Sequence, residues 1–204
     1  MRFIGITGGI GAGKSEILHF IEKEYPARII LADELAHQLM QPDGICFPKI
    51  RELFSGEDMF LSSGGLDPVK VSEMIFRDKQ KLEQLNRIVH PAVKREIIRI
   101  AEAERAAGTI SYLILEAALL IEEGYGKICD ELWLIDTSEK NRRIRLKETR
   151  GYSDEKIDAV FANQLSEEAY RTHCSIVIDN NGSLEEACRQ VKAAFARLEP
   201  KKDV

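Results

Sequence analysis

The feature that most constrains the fold is a glycine-rich segment, ITGGIGAGKSE, at residues 6–16. Four of its residues match the pattern G-x-x-x-x-G-K-[ST]: Gly8, Gly13, Lys14 and Ser15. The apolar run at 3–7 predicts a strand before this segment, and residues 14–24 predict a helix after it. Glycines here turn backbone N–H groups toward a phosphate, and the helix N-terminus adds the positive end of its dipole. The sequence therefore predicts a site for a nucleoside triphosphate, most simply ATP, and a glycine turn without a ligand is the weaker alternative.

The charged and polar residues after the glycines have separate expected roles. Lys14 is expected to bridge the β- and γ-phosphates, and the Ser15 hydroxyl is expected to bind Mg2+. Glu16 is unusual in this place, although the helix dipole favours a carboxylate in the first turn. Its side chain either points away from bound phosphates or disfavours some ligands, and both alternatives stay open. The expected cofactors are ATP and Mg2+.

Short apolar runs alternate with longer helical stretches along the chain. Five runs predict strands: 3–7, 28–31, 112–115, 132–136 and 176–178. Six segments predict helices: 14–24, 70–86, 91–107, 138–150, 153–170 and 184–198. Ser183 and Glu186 predict a capping box before the last helix, and the loop-rich segment 42–68 predicts an insertion. Strands that are apolar on both faces favour a parallel sheet covered by helices, so we expect one α/β domain over 1–204 with a frayed tail at 199–204.

Composition limits the classes of partner. The chain has 204 residues and a net charge of -5, which argues against broad nucleic-acid binding. No apolar run is as long as a membrane span, and the N-terminus lacks the features of a signal peptide. The four cysteines are scattered without a C-x-x-C pair, which favours reduced thiols. We expect a cytoplasmic protein with no membrane or nucleic-acid partner, present as a monomer or small homo-oligomer.

Two carboxylates follow predicted strands, where ligands bind in parallel α/β sheets. Asp33 comes after the second strand and is placed to orient or deprotonate an acceptor hydroxyl. The alternative is that Asp33 only caps a helix beginning at Glu34. Glu116 ends the third strand, where a carboxylate is expected to face the metal, and its alternative is an ordinary solvated acid.

Cations concentrate after the fourth predicted strand. Six of them lie within 138–153: Lys140, Arg142, Arg143, Arg145, Lys147 and Arg150. Such runs are commonly solvated faces, but in this place they also suit a lid that closes over a triphosphate and excludes water. We select Arg145 and Arg150, because guanidinium groups match phosphate oxygens. His90 precedes Pro91 at a predicted helix boundary, and this alone carries little functional weight.

Taken together, these segments resemble the dephospho-CoA kinase family over nearly the whole chain. The matching stretches are IGITGGIGAGKS, ADELAH, GGLD, IFRDKQKLEQLNRIVHP, ALLIEE, RIRLKETRGYS, the glutamine at 164, and IVIDNNGSLEEA. The resemblance implies transfer of phosphate from ATP to the ribose 3'-hydroxyl of dephospho-CoA, the last step of coenzyme A synthesis. It also implies a three-layer P-loop kinase fold with a five-stranded parallel sheet. A helical CoA-binding subdomain is then expected within 42–110, and a lid within 138–170.

The resemblance also implies roles by position. The expected nucleotide contacts are Gly8, Gly11, Ala12, Gly13, Lys14, Ser15, Glu16, Asn180 and Gly182. The expected substrate contacts are Asp33, His90, Glu116 and Leu119, and the expected metal ligands are Ser15 and Glu116. The expected catalytic residues are Lys14, Asp33, Arg145 and Arg150.

Several positions depart from the family pattern. Glu16 replaces a threonine, Leu31 replaces the first aspartate of a D-A-D motif, Pro68 replaces an arginine, and Thr149 replaces the second lid arginine. These changes favour an acceptor site altered more than the ATP site. Two alternatives therefore stay open: a divergent P-loop kinase for another nucleoside-like or small hydroxylic acceptor, and a non-catalytic nucleotide- or CoA-binding regulator. The intact Lys14 counts against the second alternative.

Overall fold

The computed structural model describes residues 1–198, except for the side chains of Ile75 and Phe76. The tail expected at 199–204 lies outside the described residues. Five strands form one sheet: β1 (Arg2–Thr7), β2 (Ala27–Leu31), β3 (Tyr112–Glu116), β4 (Glu131–Asp136) and β5 (Ile176–Asp179). Their order is β2-β3-β1-β4-β5. All five were predicted to within one residue at each end, and the expected α/β fold with a parallel sheet is confirmed.

The register brings the carboxyl ends of four strands to one edge of the sheet. Ile6 of β1 lies opposite Glu116, the last residue of β3, and Asp136 of β4 lies opposite Asp179 of β5. The central strands are buried along nearly their whole length, because parallel strands are covered on both faces. Side chains and loops that follow these strands therefore share one edge.

Helices occupy most of the remaining described chain. Their bounds are α1 (Lys14–Glu24), α2 (Ala32–Leu39), α3 (Phe47–Leu53), α4 (Pro68–Arg77), α5 (Lys79–Ala107), α6 (Glu139–Arg150), α7 (Asp154–Phe161), α8 (Glu167–His173) and α9 (Leu184–Ala196). The helices expected at 14–24, 138–150 and 184–198 are confirmed. The capping box is also confirmed, since Ser183 and Glu186 exchange side-chain-to-backbone hydrogen bonds of 3.3 and 3.0 Å. Within residues 1–198, no helix combines the length and apolar character needed to cross a membrane.

The expected helix boundary at Pro91 is wrong. α4 ends at Arg77 and α5 then runs without interruption from Lys79 to Ala107, with Pro91 inside it. The break comes at Asp78, which is extended and accepts a 3.0 Å hydrogen bond from the Lys81 N–H. Continuity through the proline is explained by packing, because neighbouring apolar residues of α5 are buried on both sides of it.

One other sequence interpretation also needs correction. The single helix expected over 153–170 is wrong, because α7 ends at Phe161 and α8 begins at Glu167. Ser166 accepts a hydrogen bond from the Ala169 N–H, so a new N-cap divides the segment. The segment 42–68 carries a short helix, α3, that begins around a proline and buries Phe47 and Ile50.

Contacts between Cα atoms divide the chain into two compact units. Within the described residues, the first unit comprises 1–30 and 107–198, and the second comprises 31–106. An aromatic cluster fills part of the first unit, where Phe195 stacks on Tyr25 at 4.1 Å and contacts Tyr112 and Trp133 at 4.5 and 4.9 Å between ring centroids. In the second unit, Ile50 and Phe54 are fully buried.

Pro91 provides a test of the α5 assignment. Replacing Pro91 with alanine restores an N–H inside the helix, so we expect the free energy of unfolding to rise by about 2 kcal/mol. The matched control is Pro68→Ala, because Pro68 is equally exposed but lies at the first position of α4, where no helical bond is missing. Chemical denaturation of both variants measures the difference, and equal effects would contradict a continuous α5.

Candidate active site

The loop between β1 and α1 exposes backbone where side chains would not fit. Gly8 has φ 150°, and a Cβ built there would lie 2.5 Å from the Ile135 carbonyl oxygen. Gly13, the N-cap of α1, has φ 87°, and its Cβ would lie 2.5 Å from Nδ2 of Asn180. Both positions therefore require glycine, and the loop keeps the open backbone that phosphate binding needs.

Lys14 folds back over this loop. Its Nζ donates a 2.9 Å hydrogen bond to the Gly8 carbonyl oxygen and lies 3.4 Å from Oε1 of Glu116. Both side chains are only 17% exposed. Glu116 reaches Lys14 because β3 pairs with β1, whose last residues lead into the loop. A cation and a carboxylate thus meet at the start of the loop.

The Ala12 carbonyl oxygen accepts hydrogen bonds from three side chains. The donors are Thr137 Oγ1 at 3.0 Å, Asn180 Nδ2 at 2.7 Å and Arg145 Nη1 at 3.2 Å. Thr137 and Asn180 follow β4 and β5, and both are buried. Arg145 also donates a 2.7 Å bond to the Asn180 carbonyl oxygen. Three segments of the first unit therefore hold one peptide of the loop.

A short turn after β5 holds Asn180 in place. The Asn180 N–H donates to the Asp136 carbonyl oxygen at 2.8 Å. Next to it, hydrogen bonds from the Asn181 backbone and side chain hold the pKa of Asp179 below its usual range. Gly182 lies in the same turn, where a Cβ would overlap the Glu186 carboxylate of the capping box.

Arg142 is the functional candidate that sequence reasoning missed. A Cβ on Gly9 would overlap its Nη1 and lie 2.8 Å from its Cζ, so the guanidinium packs directly on the loop. Gln164 Oε1 accepts a 2.8 Å hydrogen bond from Arg142, and the Phe161 ring lies 4.3 Å below its Cζ. A signal was present, because Arg142 stands one turn before the buried Leu146 on α6 and must share its face.

Ion pairs add further contacts between α6 and α7. Arg143 makes ion pairs with Asp154 and Asp158, and Lys147 makes a further one with Asp154. Hydrogen bonds to Asp158 and Glu139 raise the pKa of Arg143, and hydrogen bonds from Lys147 and Arg143 lower the pKa of Asp154. Arg143 is half-buried but its partners are exposed, so each pair contributes little stability, but together they orient the two helices.

The other predicted residues occupy varied positions. In the first unit, Ser15 and Glu16 are exposed in the first turn of α1, Leu119 is 43% exposed after β3, and Arg150 is exposed at the end of α6. Their expected roles remain predictions.

Asp33 and His90 belong to the second unit. Asp33 is exposed in the first turn of α2, and His90 is half-buried in α5. The alternative that Asp33 caps a helix beginning at Glu34 is wrong, because α2 begins at Ala32 with Leu31 as its N-cap.

The residues present fit a nucleoside triphosphate. The glycine loop presents backbone N–H groups, the N-terminus of α1 follows it, and Lys14 is aimed back along it. Among residues 1–198, no three His, Cys, Asp or Glu side chains are grouped to hold a metal ion. Ser15 has a hydroxyl and Glu116 a carboxylate, and such oxygen groups are the kind of protein ligand that Mg2+ takes together with phosphates and water.

The parallel sheet, the glycine loop and its lysine together define a P-loop kinase. The family model described as "Dephospho-CoA kinase" matches residues 2–186. A dephospho-CoA kinase of Corynebacterium diphtheriae is 36% identical over 199 residues, which cover 96% of this chain and 98% of that protein. One from Dehalococcoides mccartyi is 34% identical over 195 residues, covering 95% and 96%. This chain therefore belongs to the dephospho-CoA kinase family.

Solved structures agree with this fold. The crystal structure of TT1252 from Thermus thermophilus superposes with a TM-score of 0.79 at 28% identity, covering 98% of both chains. Dephospho-CoA kinase from Campylobacter jejuni superposes with a TM-score of 0.71 at 20% identity, covering 97% of this chain and 98% of that one. The second likeness supports the fold alone.

The Ala12 contact can be tested by changing one buried donor to an acceptor. We expect Asn180→Asp to lower the free energy of unfolding by about 3 kcal/mol, because a carboxylate would face the Ala12 carbonyl without water. The matched control is Asn163→Asp, since Asn163 also donates to a backbone carbonyl but is exposed. Urea denaturation at pH 7 compares the two variants, and similar small losses would show that the contact is dispensable.

Proposed function

We propose that this protein transfers the γ-phosphoryl group of ATP to the ribose 3'-hydroxyl of dephospho-CoA, giving ADP and coenzyme A. The observation that carries the proposal is the position of Lys14, held between the Gly8 carbonyl and Glu116 in the loop that this family uses for ATP. A lysine in this place bridges the phosphates that separate during transfer. Phosphoryl transfer is therefore the chemistry that the site supports best.

The loop and its neighbours would hold the triphosphate. Backbone N–H groups from Gly11 to Ser15 would donate to phosphate oxygens, and Lys14 would neutralise charge as it develops in the transition state. Asn180 and Gly182 would lie on the adenine side, as the family resemblance implies. The anchoring of Ala12 supports this role, since a loop that is held before the ligand arrives loses less entropy on binding.

The acceptor side is proposed to depend on Asp33. Its carboxylate is exposed and does not serve as the N-cap of α2, so it is available to accept the proton of the attacking hydroxyl. His90, Leu119 and Glu116 would contact the acceptor. We also propose that residues 42–110 carry the CoA-binding subdomain and that 138–170 form a lid. In this lid, Arg150 would face the transferring group and Arg145 would assist catalysis by holding the loop at Ala12.

Mg2+ is proposed as the metal, bound through Ser15 and Glu116. When bound, it supplies positive charge that offsets the charge of the phosphates. Glu116 is now paired with Lys14, so its carboxylate is already oriented toward the loop. We further propose a cytoplasmic enzyme without a nucleic-acid partner, in keeping with its net charge of -5.

The two alternatives are less well supported. The family model extends through the second unit, which favours dephospho-CoA over an unrelated acceptor. The pairing of Lys14 with Glu116 is a feature of a catalytic site, and this favours an enzyme over a non-catalytic regulator. The departures at Leu31 and Pro68 are then substitutions that the reaction tolerates.

Acceptor-dependent turnover is the direct test. We expect purified protein to form ADP from Mg-ATP only when dephospho-CoA is present, with coenzyme A identified by mass. Lys14→Met should lower kcat by about 100-fold to 1,000-fold, because it removes transition-state charge stabilisation. Asp33→Asn should lower it by about 100-fold or more, through loss of the proton acceptor.

Neighbouring residues provide the controls. Lys23→Met removes an exposed lysine from the last turn of the same helix, and Glu34→Gln removes the acid next to Asp33. Both controls should keep nearly full activity. If ATP binds but no ADP forms with dephospho-CoA, the proposal fails. If ADP forms only with another hydroxylic acceptor, the first alternative replaces it.

A further inference from the structure

The positive charges around the loop are divided between its two ends. Lys14 Nζ lies on the Gly8 carbonyl, and the Arg142 guanidinium packs against Gly9, so both cations contact the start of the loop. Arg145 instead lies at the end of the loop, bonded to the carbonyls of Ala12 and Asn180. The two arginines of α6 that touch the loop thus serve different parts of it.

The contacts of Arg142 leave it suited to an anion. Among the described residues, its side chain donates one hydrogen bond, from Nη1 to Gln164 Oε1, and its flat face rests on the Phe161 ring. A guanidinium has five N–H donors, so most of them are left for a ligand. No carboxylate of the described residues forms an ion pair with it, in contrast to Arg143 on the same helix.

Arg142 can lie close to the loop because the loop has glycines at the positions that face it. A Cβ on Gly9 would overlap the Arg142 guanidinium. A Cβ on Gly11 would lie 3.0 Å from the Arg142 carbonyl oxygen. Leu146, one turn later, is buried against Gly11 and fixes the rotation of α6. Position and orientation are therefore set by packing, before any nucleotide binds.

We propose that Arg142 binds the terminal phosphate of the nucleotide, together with Lys14, while Arg145 maintains the shape of the loop. The lysine of such a loop reaches the β- and γ-phosphates, and Arg142 shares its end of the loop. Gln164 and Phe161 act as positioning residues that hold the guanidinium. The inference rests on the proposed function only in taking ATP as the phosphate donor.

Nucleotide binding without an acceptor tests this assignment. Calorimetric titrations would measure Kd for Mg-ATP, Mg-ADP and AMP with the wild type, Arg142→Gln and Lys140→Gln. We expect Arg142→Gln to raise Kd for ATP by about tenfold or more, since charged hydrogen bonds are lost, and to change Kd for ADP and AMP much less. Lys140→Gln should leave all three unchanged, because Lys140 is exposed on the same helix.

Two further variants separate binding from a structural role. Arg142→Lys keeps the positive charge but lacks the planar guanidinium with its paired N–H donors. Compared with Arg142→Gln, it should recover part of the preference for ATP over ADP. Arg145→Gln should weaken ATP and ADP alike, because it loosens the loop itself. Thermal unfolding without ligand reports whether Arg142→Gln is folded. If it is not, Gln164→Ala replaces it, with a smaller loss of affinity expected for ATP alone.

The outcomes are distinct from those of the turnover assay. An unchanged ATP affinity in Arg142→Gln, or equal losses for ATP and ADP, overturns the inference even if the protein phosphorylates dephospho-CoA. If Gln164→Ala is used instead, an unchanged ratio of ATP affinity to ADP affinity also overturns the inference. A third outcome is that dephospho-CoA supports no turnover, but Arg142→Gln still weakens ATP binding and not ADP binding. This outcome overturns the proposed acceptor and leaves the assignment of Arg142 standing.

Discussion

The phosphate loop depends on one backbone acceptor, the carbonyl oxygen of Ala12. Glycines give a loop many accessible conformations, so its shape must be imposed by groups outside it. Here the imposing groups come from the ends of β4 and β5 and from α6, through Thr137, Asn180 and Arg145. The sheet edge and α6 therefore hold the loop in one conformation. This arrangement also makes the loop sensitive to changes in residues far from it in the chain.

Absent side chains are as important to the site as those present. Gly9 and Gly11 let α6 approach until Arg142 and Leu146 touch the loop, and Gly13 makes room for Asn180. Because α6 packs so closely, a guanidinium that an aromatic ring and an amide already hold lies directly against the loop.

Local patterns predicted much of this structure, and long-range packing accounts for the rest. The P-loop, the strands and the capping box of Ser183 depend on neighbours within a few residues, so sequence reasoning could place them. The helix boundary predicted at Pro91 was wrong because burial of the surrounding α5 residues outweighs the local cost of a proline inside a helix. Arg142 was passed over because six cations of one run look alike until the buried face of α6 is identified. The role of Asp33 lies beyond pattern alone, since the bounds of α2 were needed to exclude capping.

The order of the strands has a consequence for how such enzymes diversify. β2 is an edge strand, and the chain leaves the sheet after it and returns only at β3, so residues 31–106 form one uninterrupted insert in the first unit. A gene encoding this protein could exchange that insert by recombination at two junctions, leaving every residue of the phosphate loop and its three anchors untouched. Chimaeras between relatives thus have natural crossover points, near Ile30 and Ala107.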